Sequence, residues 1–167
     1  SISNLQSLEE LYLWTNKLKS LPRNIFNLPK LKVLNTYGNK LKTLPLENVC
    51  PPSLEKLVLD ENQMEKLTGE IKNVPSLQYL HLSKNRLTTL PEEIGELHRL
   101  AVLNLSKNPL NKLPQSIGNL SSLKVLDLWE NHLTELPETL TSLRTLEKLT
   151  LSYNPLKKVP AEALALE

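Results

Sequence analysis

Leucine recurs along this chain at a fixed interval. Leu8, Leu31, Leu54, Leu77, Leu100, Leu123 and Leu146 follow one another every 23 residues, without an insertion. Three residues after each comes another leucine (Leu11, Leu34, Leu57, Leu80, Leu103, Leu126, Leu149). Two further on comes a third, replaced only in the second unit, by Thr36. Apolar residues at every second position are the signature of a strand that turns alternate side chains inward. The residues between and after the leucines then point outward and are free to vary.

Each unit next reaches an asparagine: Asn16, Asn39, Asn62, Asn85, Asn108, Asn131 and Asn154. Where a chain leaves a buried strand, its N–H and C=O groups lose water, and a stacked row of amides can satisfy both kinds of group. Beyond the asparagine lie an apolar residue and a Leu-Pro step, at Leu21-Pro22, Leu44-Pro45, Leu90-Pro91, Leu113-Pro114 and Leu136-Pro137, with Val159-Pro160 equivalent. Proline fixes φ and starts a return arm. That arm carries apolar pairs three apart, such as Ile25 and Leu28 or Ile94 and Leu97, the spacing of one 3₁₀ or helical turn laid on a core.

Two arms depart from the pattern. The second unit reads Leu44-Pro45-Leu46-Glu47-Asn48-Val49-Cys50-Pro51-Pro52, and a Pro-Pro pair cannot continue a helical turn. The third has Thr68-Gly69 in place of the proline step. Drift on a surface arm that still packs through Leu46 and Val49 explains both more simply than a partner contact on the convex side. Cys50 in this arm reads as a small apolar filler, because no His or acid stands at a spacing that would activate it.

The unit L-x-x-L-x-L-x-x-N-x-L-x-x-L-P-x-x-I-x-x-L-x-x resembles the 23-residue class of leucine-rich repeats, over the whole chain. It is similar to the repeats of Ras-group intracellular scaffolds, of scribble-like and erbin-like polarity proteins, and of many bacterial proteins, the leptospiral set among them. It differs from the plant receptor class, whose convex arm is Gly-rich. The resemblance implies an α/β fold: a right-handed leucine-rich repeat solenoid, a horseshoe arc with a concave parallel sheet of about seven strands and short convex 3₁₀ or helical arms. Strands are expected near 10–14, 33–37, 56–60, 79–83, 102–106, 125–129 and 148–152. One domain over residues 1–167 would comprise a partial repeat 1–7 and repeats 8–30, 31–53, 54–76, 77–99, 100–122, 123–145 and 146–167. Repeats bury their leucines only against neighbours. Ile2 and Leu5 fall where Ile25 and Leu28 fall one period later, so the first residues read as part of a return arm without a polar cap. The final Pro160–Glu167 reads either as a degenerate arm ending in a vector-derived Leu-Glu or as a helical cap.

Composition narrows the function classes. With 20 basic and 18 acidic residues among 167, the net charge of +2 is too even to point to a nucleic-acid partner. The longest apolar runs fall far short of a membrane span, so no membrane insertion is expected. A single cysteine permits no intrachain disulfide, which favours a cytoplasmic over a secreted setting. No Gly-rich phosphate loop, metal-ligand spacing or nucleophile elbow appears, so no enzyme activity, metal or cofactor is expected. His81, His98 and His132 fall in different units, and the consecutive acids Asp60 and Glu61 suit a turning strand end better than an acid/base pair.

The remaining information lies in the outward positions. Tyr12, Trp14, Tyr37, Tyr79, Trp129 and Tyr153, six of the seven aromatic residues, stand at outward strand sites or beside the asparagine. Solvent-facing aromatics on a concave surface are common anchors of binding, although they can also pack sideways to stiffen the sheet. Strands about 4.8 Å apart make Trp14 and Tyr37 neighbours, and Trp129 and Tyr153 likewise, with on the order of 20 Å or more between the pairs. An extended partner can touch both. Between them stand Asp60, Glu61, His81, Lys84, Arg86 and Lys107, flanked by Lys17 and Lys40 on one side and Asp127, Glu130 and His132 on the other. Lys84, Arg86 and Lys107 either read an acidic patch on a partner or pair with their acidic neighbours.

The site expected from sequence is therefore Tyr12, Trp14, Tyr37, Tyr79, His81, Arg86, Trp129, His132 and Tyr153, binding a protein partner on the concave face of a monomer. Stacking on a carbohydrate or peptidoglycan-like polymer, and structural self-association through the sheet edge, are the alternatives.

Overall fold

The computed structural model describes residues 1–160. Seven strands form one parallel sheet in chain order: β1 Glu10–Tyr12, β2 Val33–Asn35, β3 Lys56–Val58, β4 Tyr79–His81, β5 Val102–Asn104, β6 Val125–Asp127 and β7 Lys148–Thr150. Every residue pairs with the one 23 positions on: Leu11 with Leu34, Leu34 with Leu57, and so to Leu126 with Leu149. The sequence period is thus the step between strands. The chain folds as a leucine-rich repeat arc, with the sheet on one face and 3₁₀ turns on the other.

Each strand is three residues long, two fewer than expected. Cross-strand N–H···O bonds continue past its end, as from Leu13 to Asn35 (2.8 Å) and Thr15 to Tyr37 (2.7 Å). The fifth residue after each strand start, however, turns left-handed: Thr15, Glu61, Lys84, Lys107, Glu130 and Tyr153 have φ of 53 to 60°, and Gly38 has 71°. That corner ends the extended run and swings the chain toward the asparagine. It also answers the reading of Asp60 and Glu61, since Glu61 is itself a corner residue.

The amide ladder forms as expected. The Asn39 side chain donates to the Leu13 and Thr36 carbonyls (2.8 and 3.0 Å) and accepts from the Leu18 N–H (3.0 Å). Asn62, Asn85, Asn108, Asn131 and Asn154 accept equivalently from Leu41, Met64, Leu87, Leu110 and Leu133. Each rung therefore ties its own repeat to the preceding one at two places. Thr36, the one non-leucine at its position, is fully buried and gives its hydroxyl proton to the Val58 carbonyl at 3.0 Å. Its polar group is satisfied, so the substitution is accommodated.

The arms hold 3₁₀ turns at Arg23–Asn27, Gly69–Asn73, Glu92–Glu96, Gln115–Asn119 and Glu138–Ser142, and residues Ile2–Asn4 form another. Ile25, Ile71, Ile94, Ile117 and Leu140 plug the core from this side. Gly95 and Gly118 permit close stacking of these turns, because a Cβ on either would lie 2.5 or 2.4 Å from the carbonyl oxygen of Ser116 or Thr139. Thr68-Gly69 still starts a turn, with Thr68 as extended as the prolines (φ −86°, ψ 164°). The Pro51-Pro52 arm has none; Leu46 and Val49 are nevertheless buried there.

Cys50 is exposed, which corrects the expectation of a small apolar filler. Leu46, Val49 and Pro51 already fill the space beneath this arm, so the thiol is left outside. The two readings of the C-terminal tail fall on residues 161–167, outside the described part.

Candidate functional site

The scaffold consumes nearly all the large apolar side chains. Among the described residues the exposed large hydrophobics are Leu5, Tyr12, Trp14, Tyr79 and Tyr153, and four of these five stand on the strand face or at its corners. Tyr37, His81 and Trp129 are half-buried there, while Arg86 and His132 are exposed on the run after the asparagine. All nine residues expected at the site thus lie at outward positions. They do not form one cluster.

Their local partners differ. Trp129 is held on both sides: the Lys107 ammonium lies 5.0 Å from its ring centroid, and the Tyr153 ring meets it edge-on, 5.5 Å between centroids and 80° between planes. Both contacts come from corner positions of the adjacent repeats. Tyr79 has the Lys56 ammonium 5.9 Å from its ring centroid, a cation that sequence reasoning passed over. Tyr12 donates its phenol proton to Glu10 at 2.9 Å, and this hydrogen bond to a carboxylate raises the Tyr12 pKa. A hydrogen-bonding interaction with the Glu61 carboxylate raises that of Tyr37. Among the described residues no aromatic ring or cation is stacked on Trp14, which is 56% exposed. The expected Trp14–Tyr37 pair are neighbours in register without stacking.

The central charges are occupied within the chain. Lys84 meets Glu61 at 2.5 Å, a hydrogen bond that raises the lysine pKa and lowers that of the carboxylate; Arg86 faces Glu65 at 4.0 Å. With Lys107 over Trp129, each member of the cationic trio has its own partner. These contacts favour pairing over an acid-reading patch at that place. Next to them, desolvation raises the pKa of half-buried Asp60, against the Ser83 N–H that donates to its carboxylate at 2.6 Å, and desolvation lowers that of half-buried His81.

A structural task at the outward positions went unread in the sequence. Asn35, Asn104 and Asp127 accept from the backbone N–H two residues on (Tyr37, Ser106 and Trp129; 3.0 to 3.1 Å). In the fourth repeat His81 stands at that position, and Asp60 of the preceding repeat supplies the acceptor to Ser83 instead. The outward residues are therefore not all free to vary. The signal was present in Asn and Asp recurring at one repeat position, since such side chains bond to backbone nearby.

Among the described residues, no three His, Cys, Asp or Glu side chains gather as a metal site would require. No helix there is long and apolar enough to cross a membrane.

A family model described as a leucine-rich repeat region matches residues 53–152, and a second, leucine rich repeat, matches residues 6–64. The chain belongs to the leucine-rich repeat family. That family is in general a non-enzymatic binding scaffold. No curated protein matches the sequence. Among solved structures, a leucine-rich repeat protein of Leptospira interrogans is similar, with 36% identity and a TM-score of 0.74, over 99% of this chain and 48% of that one. The ectodomain of the Arabidopsis thaliana membrane receptor kinase GASSHO1/SCHENGEN3, solved with Casparian strip integrity factor 2, is 31% identical with a TM-score of 0.79, over 99% and 24%. The plant peptide hormone receptor RGFR1, solved with RGF2, is 31% identical with a TM-score of 0.75, over 92% and 25%. The chain spans half or less of the length of each. The fold is thus shared with plant receptors solved in complex with their ligands, one of them a peptide hormone receptor.

Proposed function

We propose that this array is a protein-recognition module, which holds an extended segment of a partner along its strand face between Trp14 and Trp129. One observation carries the reading: a scaffold that buries its leucines this completely still leaves Tyr12, Trp14, Tyr79 and Tyr153 in solvent on one face. Aromatic side chains lose little conformational freedom on binding and bury large areas, so they anchor interfaces. The peptide and protein complexes of the structurally similar receptors support the class of ligand. A role in signalling or host contact would follow from the partner bound there.

Immobilised protein and a variant carrying Trp14→Ala and Trp129→Ala, matched in melting temperature, are incubated with lysate of the source organism. A protein retained by the first and lost from the second is the expected result; equal retention by both sinks the proposal. Quenching of tryptophan fluorescence by muropeptides would instead favour a carbohydrate ligand. The module acts as a monomer in this reading, so mass from light scattering should stay constant on dilution.

A further inference from the structure

Charge is unevenly distributed. Residues 1–50 contain seven Lys and Arg against three acids, whereas residues 51–167 contain thirteen against fifteen. The three acids of the basic part are engaged: Glu9 with Lys32 at 3.4 Å, Glu47 with Arg23 at 3.8 Å and Glu10 with the Tyr12 hydroxyl. Five of the seven cations are exposed and make no ion pair with any described residue; Lys30 lies on the return arm, and the other four are Lys17, Lys19, Lys40 and Lys42.

These four are held together by backbone. Lys17-Leu18-Lys19 and Lys40-Leu41-Lys42 follow the ladder asparagines of adjacent repeats. The Lys40 N–H donates to the Leu18 carbonyl at 2.8 Å, and the N–H groups of Leu18 and Leu41 donate to Asn39 and Asn62 at 3.0 Å. With Leu18 and Leu41 turned to the core, the lysines project to the other side in two rows. Their attachment points lie about 4.8 Å apart between rows and roughly 6.5 Å apart within one. Four like charges this close repel, and among the described residues no acid forms an ion pair with any of them. The equivalent positions of the third repeat are Gln63 and Glu65, so the patch ends there. At its edge stands Trp14, which the following repeat leaves open because Gly38 occupies the corner position that Tyr153 occupies beside Trp129.

We infer that Lys17, Lys19, Lys40 and Lys42 form a docking patch for an extended acidic peptide segment, with carboxylates at alternate residues and an apolar residue resting on Trp14. Alternate side chains of an extended peptide share a face at the spacing of the lysines within a row. A nucleic acid fits less well, because its evenly charged backbone would continue past two repeats onto Glu61 and Glu65. The inference shares only Trp14 with the concave-face reading; the lysines stand beyond the strand face.

The probe is a fluorescent peptide with phenylalanine first and glutamates at alternate positions after it, titrated by anisotropy into the full chain. Binding is expected, weakening at least about tenfold between about 50 and 200 mM salt, since surface charge attraction is screened. Lys17→Glu with Lys40→Glu should abolish it, Lys19→Gln with Lys42→Gln should weaken it several-fold, and Trp129→Ala should leave it unchanged. All these sites are exposed or peripheral to the core, and melting temperatures confirm that the variants fold. Absence of binding, equal binding by the Lys17→Glu/Lys40→Glu variant, or tighter patch-dependent binding of a single-stranded oligonucleotide, a sulfated polysaccharide or phosphatidylserine vesicles each overturns the inference. If the lysine variant loses the peptide while Trp129→Ala alone loses the lysate partner, the two surfaces are separate. A lysate partner retained without any peptide binding leaves the concave reading standing and removes this one.

Discussion

Trp14 and Trp129 occupy the same position of the repeat, five repeats apart, in opposite surroundings. Trp129 is braced by Lys107 from the repeat before and Tyr153 from the repeat after. Trp14 has Gly38 where Tyr153 would be and stays 56% exposed. The repeat places the ring, but the corner residue of the next repeat decides whether it faces solvent. The same rule brings Tyr37 to Glu61. The outward surface of the array is thus composed sideways, between units 23 residues apart, while the leucines along each unit only supply the frame.

The largest expected difference between the two ends lies beneath these rings. Asn131 is buried; it donates to the carbonyls of Leu105 and Leu128 (3.0 and 3.1 Å) and accepts from Leu110 (3.2 Å). Asn131→Ala would strand three buried polar groups in two adjacent repeats, at a cost of about 3–5 kcal/mol. Asn16, exposed, bonds only to Leu13 and Trp14, and Asn16→Ala should cost below about 1 kcal/mol. Urea midpoints of the two variants decide; equal losses would mean that the ladder is no stronger in the interior than at its first rung.

Next in size is the brace itself. Tyr153→Ala removes an edge-to-face contact worth about 1 kcal/mol and should raise acrylamide quenching of Trp129 toward that of Trp14. Fluorescence in single-tryptophan backgrounds reads this directly, and unchanged quenching would show that Lys107 and the sheet shield the ring on their own. The converse variant, Gly38→Tyr, should cover Trp14. Its Cβ would meet Thr15 at 3.4 Å, an ordinary contact, and Tyr153 already adopts φ of 60° at the equivalent corner. A left-handed non-glycine residue costs about 1 kcal/mol, so quenching of Trp14 should fall for a small loss of stability. Quenching left as high as before would break the sideways rule.

The frame was legible in the sequence because it repeats: period, leucine faces, amide ladder and arms all follow from residues recurring at one spacing. The strand ends were misjudged by two residues, since only Gly38 announces the left-handed corner and the other six are filled by Thr, Glu, Lys or Tyr. Cys50 was misplaced because the irregular arm has no repeat partner against which to judge depth. At the site, residue positions were readable but contacts were not. Whether Lys107 points to a partner or lies on Trp129 depends on side chains from two repeats meeting in space, which no single-repeat pattern encodes.

Between the two ends, half-buried His81 and Asp60 should make stability depend weakly on pH. Desolvation lowers the His81 pKa, with Asp60 opposing and Lys56 assisting. A histidine depressed in the folded state contributes stability that is present above its unfolded value, about 6.5, and lost as pH falls through its folded value. Asp60 runs the other way: its raised pKa means that the folded state takes up a proton more readily, so its contribution to stability grows as pH falls toward and below its folded value. From neutral pH downward the histidine acts first, and the carboxylate offsets it only at more acid pH. His81→Gln should therefore flatten the decline in urea midpoint between about pH 7 and pH 5, and an unaltered slope would assign that decline to groups elsewhere. Because neither end of the face carries such a pair, Trp14 and Trp129 quenching should stay constant over the same range, which separates a change in stability from a rearrangement of the face.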